Sequence, residues 1–119
     1  MSREATRYRE TVVRRALEGP GTASAAARRA AFDNQGTGEP ARALVAKVAK
    51  AAWTVTDADV AATRSAGVSE DEIFELAVCA ALGQATRQMD AALAALEAAA
   101  PHAAPSLDKP HATADGGHR

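Results

Sequence analysis

At 119 residues the chain has room for one domain, and its 47% hydrophobic content is largely alanine, with aromatics at only 3%. A formal net charge of -1 supplies no general attraction to nucleic acid or to a membrane surface. The single cysteine, Cys79, excludes an internal disulfide and any reaction that needs two thiols of one chain. The opening MSREATRYRE lacks the apolar stretch of a secretory signal. The longest apolar run, IFELAVCAALG, contains Glu75 and falls short of the roughly 18 residues of a membrane span. A reducing, cytoplasmic setting is expected.

In chain order, Ala5, Tyr8, Val12, Ala16 and Leu17 recur at helical spacing and predict a helix over 3–18. Ser2 caps its start, and Gly19-Pro20 stops it. Residues 23–32 predict a short alanine-rich helix, and 33–39 (DNQGTGE) read as a loop. Pro40 suits a first helical position, because the N–H it lacks would be unpaired there. A stripe of Ala41, Leu44, Val45, Val48, Ala49 and Ala52 then predicts a helix ending near Trp53. Thr56 is a cap for a helix reaching Ala66, with Asp57 and Asp59 placed against its positive end and Gly67 at its exit.

The strongest local pattern is GVSEDEI over 67–73. Ser69 and Glu72 form a capping box, with Val68 and Ile73 placed as a hydrophobic staple. A long helix is predicted from there to about Ala99, stopped by Pro101. Ile73 to Leu82 are apolar nearly all round, which predicts a central position, and Gly83 predicts close packing against a neighbouring helix. Residues 101–119 hold three prolines and no periodicity and read as a disordered tail. The expected layout is one helical domain over 1–100 followed by that tail.

The hairpin from Pro40, the link AGVSEDEIFEL and the helix LAVCAALGQATRQMDAALAAL together resemble the alkylhydroperoxidase D / carboxymuconolactone decarboxylase family over residues 40–97. Members share a helical hairpin, a Gly-(Leu/Val)-Ser-Glu-Glu-Glu-Ile turn and a long following helix. The resemblance implies an all-α fold, a small helical bundle of about five helices that is oligomeric. Its redox members carry Cys-x-x-Cys and, four residues on, a histidine, all N-terminal to the same glycine. Aligned on Gly67, those positions hold Ala52, Val55 and Asp59, so the dithiol motif is missing. The resemblance then implies a pocket at Ala52, Trp53, Val55 and Asp59, and places Glu39 near an acid that assists the redox pair.

The remaining chemistry is sparse. Within an apolar helix Cys79 reads as a structural core thiol. His102, His111 and His118 all lie in the tail at spacings that match no compact metal site. Asp57, Asp59, Glu70, Asp71 and Glu72 read as helix-start acids; the functional alternative sets Asp59 in a pocket against a cationic or hydroxylated ligand. Trp53 reads as a core or interface anchor. Arg3, Arg7, Arg9, Arg14 and Arg15, set among Glu4, Glu10 and Glu18, read as a solvated helix face. No metal or cofactor and no nucleic-acid or membrane partner is expected. With so few large core residues, self-association is expected to complete the core.

The leading expectation is a non-redox, homo-oligomeric protein that binds a small apolar ligand or serves as an accessory. One alternative is a divergent hydroperoxidase with an antioxidant role, or a decarboxylase, using Asp59 or Cys79. Another is a structural subunit of a larger complex.

Overall fold

The structure is a computed structural model describing residues 2–108, with side chains as far as Ala100. Among the described residues it is all-α, with five helices and no strand: α1 (Arg3–Glu18), α2 (Ala25–Asp33), α3 (Arg42–Ala51), α4 (Asp57–Ser65) and α5 (Glu70–Asp108), with a 3-10 turn at Ala52–Thr54. The chain divides into two compact units, Met1–Arg87 and Gln88–Arg119, the boundary falling inside the continuous α5.

Local chemistry explains most helix ends. The Ser2 hydroxyl accepts the Ala5 N–H at 3.0 Å, and the Ser24 hydroxyl accepts that of Ala27 at 3.0 Å, each satisfying one orphan donor of a first turn. Helix α2 ends on Asn34 in the left-handed conformation. Helix α4 leaves through Gly67 at φ 110. There the Gly67 N–H bonds the Arg64 carbonyl and the Val68 N–H bonds that of Thr63, which is the Schellman pattern. Glu72 and Ser69 form the predicted box: the Ser69 hydroxyl accepts the Glu72 N–H at 3.1 Å, and the Glu72 carboxylate accepts the Ser69 N–H at 3.2 Å.

Several expectations are corrected. Pro40 is not the first residue of α3. That helix begins at Arg42, with Ala41 as its N-cap and no side-chain cap; Pro40 lies in the preceding turn, and Ala41 is turned into the core. The stop expected at Pro101 does not end α5, which continues to Asp108. Proline there forfeits one N–H, and the alanine-rich neighbours, with the highest helix propensity, carry the helix past it. The part of the expected disordered tail beyond Asp108 lies outside the described residues.

The core of the Met1–Arg87 unit gathers Leu17, Phe32, Val45, Leu76, Cys79 and Ala80, with smaller residues between them. Its largest fully buried side chains are only Val45 and Cys79, so helix approach rather than side-chain bulk fills the interior. Close approach is most acute at Gly83, as predicted: an ideal Cβ there would lie 2.6 Å from the Phe32 carbonyl carbon and closer to its oxygen. The α1 stripe buries only its C-terminal end, at Leu17 with Val13 and Ala16 beside it; Tyr8 and Val12 are exposed. Ile73–Leu82 is not buried all round either, since Phe74 points to solvent while Leu76, Cys79 and Ala80 point inward.

Candidate functional site

The four residues that the alignment on Gly67 groups, Ala52, Trp53, Val55 and Asp59, differ in exposure. The 3-10 turn forms because Thr54 Oγ1 donates to the Ala51 carbonyl at 2.7 Å and the Val55 N–H donates to Ala52 at 3.2 Å. That turn carries Ala52 and Trp53 outward, and Trp53 is 84% exposed. The core reading of Trp53 is thereby corrected. Val55 is half-buried.

Asp59 lines a cleft, a space of about 180 Å³ between α3 and α4 walled by Pro40, Leu44, Lys47 and Thr63. Its carboxylate accepts from Lys47 Nζ at 2.7 Å and from the Thr56 N–H at 3.0 Å, while Thr56 Oγ1 accepts the Asp59 N–H at 3.2 Å. Asp59 is thus both the closing acid of a capping box and half of an ion pair. The Lys47 ammonium first, and the Thr56 N–H second, hold its carboxyl below the ordinary carboxylate range. A group so stabilised in its charged form is poorly matched to proton transfer near neutrality.

Cys79 sits in the core, 1% exposed, with its Sγ 3.5 Å from the Ala16 carbonyl oxygen. Burial pushes its thiol up from the usual value; the Arg28 charge opposes this in part and Glu75 adds to it. The protonated form is inert toward peroxide and disulfide.

Two charged side chains near this thiol form the best-built polar cluster of the fold. Glu75 reaches from α5 to the α1–α2 turn, its carboxylate accepting the N–H of Thr22 at 2.8 Å and of Ala23 at 2.7 Å. Those two N–H groups, Thr22 first, hold its carboxyl below the ordinary range. The buried Arg28 donates from Nη1 to the carbonyls of Gly19 at 2.7 Å and Ala16 at 3.3 Å. A cation on the last carbonyls of α1 complements that helix's negative end. Every polar contact described here goes to backbone, so the cluster is a structural clamp on residues 19–23. Sequence reasoning missed Arg28; a charge inside an apolar run was the visible signal for Glu75.

A second space, about 340 Å³, lies between α2, the 36–41 segment and the start of α5, with Ala27, Ala30, Thr37, Pro40, Glu72 and Leu76 among its walls. It falls in the size range of small-ligand clefts, and Thr37 Oγ1 on its wall is buried without a hydrogen-bond partner. Glu39 also borders it, in an ion pair with Arg42. Among the described residues no group of three or more His, Cys, Asp or Glu side chains is arranged to hold a metal ion. The three histidines belong to residues whose side chains are not described.

Comparison with known proteins adds nothing to this geometry: no family model, no curated protein and no solved structure matches the chain.

Proposed function

We propose that the chain is a non-redox relative of the alkylhydroperoxidase D / carboxymuconolactone decarboxylase family that works as a self-associating cytoplasmic binding or accessory protein, without a catalytic step of its own. One observation carries the self-association. Of the four aromatic residues, Tyr8 is 72%, Trp53 84% and Phe74 70% exposed, while the fully buried interior holds nothing larger than Val45 and Cys79. Three of four aromatic rings left in water, with only Phe32 in the core, are the composition expected of a subunit whose apolar surface is completed by copies of itself.

The non-redox half of the proposal rests on Cys79, a lone, buried thiol whose burial favours the protonated form, and on Asp59, whose Oδ2 is held by Lys47 and Thr56. The α2–α5 space, about 340 Å³ with Ala27, Ala30 and Leu76 on its walls, has the size for a small apolar ligand. No helix among the described residues is long and apolar enough to cross a membrane.

Sedimentation velocity over a hundredfold concentration range tests this reading. The expected result is a single oligomeric species, with Trp53 emission shifted to the blue relative to a dissociated sample. A monomer throughout, with fully water-exposed Trp53 emission, overturns it.

A further inference from the structure

We propose that the seam Thr86–Met89–Leu93–Leu96–Ala100 on α5 is a self-association surface, pairing with the same seam of a second copy as a parallel two-stranded coiled coil. The inference rests on the self-association reading above and adds to it a further surface, on α5, that holds none of the three exposed rings.

The seam follows from spacing. Cys79, Leu82, Thr86, Met89, Leu93, Leu96 and Ala100 fall alternately three and four residues apart. That is a heptad repeat, with Cys79, Thr86, Leu93 and Ala100 at a and Leu82, Met89 and Leu96 at d. A stripe repeating every 3.5 residues suits packing along a second helix, the two winding into a left-handed supercoil. Within Met1–Arg87 this face is covered: Cys79 is buried and Leu82 packs beside the core. Among the described residues beyond Arg87, Met89 is 47% and Leu96 66% exposed, with Leu93 half-buried between them.

The need for a partner is energetic. The described part of that unit is one helix, and a lone helix of such length is marginal in water unless an amphipathic face is covered.

The flanking positions choose the partner and its direction. The g positions are Ala85, Ala92 and Ala99, and the e positions after Gly83 are Asp90 and Glu97. In a parallel pair each e faces a g of the partner, so both acids meet alanine, and the small flank lets the helices approach closely. An antiparallel pair sets e against e, carboxylate toward carboxylate, which is unfavourable. A second copy in parallel therefore satisfies both the repeat and the charges.

The test uses the full chain by sedimentation equilibrium, comparing wild type, Leu93→Glu/Leu96→Glu and, at the exposed c position, Ala95→Glu. The double variant is expected to raise the dissociation constant at least about a hundredfold, as removal of central apolar anchors does. Ala95→Glu is expected to leave it within about twofold, because position c points away from a coiled-coil partner. Circular dichroism melting of the double variant checks that the Met1–Arg87 unit remains folded. Ala100→Cys, at an a position, is expected to oxidise to a disulfide-linked dimer only if the pair is parallel. A wild-type oligomer that the double variant leaves intact overturns this surface while self-association stands. A monomeric wild type overturns both. A dimer that the double variant dissociates but Ala100→Cys never cross-links overturns the parallel orientation.

Discussion

Gly83→Ala is expected to lower the melting temperature. Helix propensity alone predicts the opposite sign, since alanine in a helix interior is favoured over glycine by about 1 kcal/mol. Packing decides the case. The new methyl group would meet backbone of α2, 2.6 Å from the Phe32 carbonyl carbon and 2.9 Å from its Cα, and backbone cannot rotate away as a side-chain end can. The same carbonyl oxygen is held by Arg87 Nη1 at 2.6 Å, so its displacement also breaks a charge-assisted hydrogen bond. Overpacking of this kind costs about 1–3 kcal/mol or more, and with the lost bond it outweighs the propensity gain. The net expectation is about 2 kcal/mol of destabilisation, a fall in Tm on the order of 10 °C. Thermal unfolding followed by circular dichroism, at one fixed protein concentration because association shifts Tm, measures it. A variant that melts higher than wild type would show that α2 and α5 do not approach closely at this point.

Arg28→Ala is expected to destabilise the chain by about 3 kcal/mol, from two bonds of a charged donor and the space left by a long buried side chain. Its guanidinium holds the carbonyls of Gly19 and Ala16; without it the Gly19 carbonyl loses this donor and the Ala16 carbonyl keeps the weak thiol contact of Cys79. Glu75, which holds the adjoining Thr22 and Ala23 N–H groups, also loses the positive charge beside it. Arg28→Met separates the causes, since it keeps the apolar length of the stem and removes only the donors. It is expected to melt between alanine and wild type in the same thermal scan. If Met matches wild type, the carbonyl bonds contribute nothing and Arg28 acts by filling space. If Ala itself matches wild type, the clamp on residues 19–23 is not a support of the fold.

These two residues also mark where the sequence stopped being legible. Four helix ends were readable, because their caps are local: Ser2, Thr56 with Asp59, Gly67, and Ser69 with Glu72 each meet a partner within a few residues. Gly83 was readable as a place of close approach, although the partner was not. Arg28 and Glu75 were different. Glu75 reaches donors more than fifty residues earlier in the chain, at a separation of 53 for Thr22, and no local pattern announces such a bond. The apolar stripes told which faces of α1 and α5 are amphipathic, but not how much of each face a neighbour covers. Tyr8, Val12 and Phe74 therefore stand exposed where burial was expected. The same limit applied to the candidate site. The alignment on Gly67 named Ala52, Trp53, Val55 and Asp59 together, yet the 3-10 turn directs Trp53 outward and the capping box claims Asp59. A register along the chain cannot state the direction of a side chain that a short turn reorients.

The claim at the centre of this account is a helical scaffold without thiol chemistry, and the reactivity of Cys79 toward an aromatic disulfide reagent tests it most directly. A thiol that is 1% exposed and held protonated by burial is expected to react orders of magnitude more slowly than free cysteine in the native protein, and to titrate as one thiol per chain after unfolding in denaturant. Native Cys79 reacting as fast as free cysteine or faster would contradict the account and return the chain to the thiol enzymes.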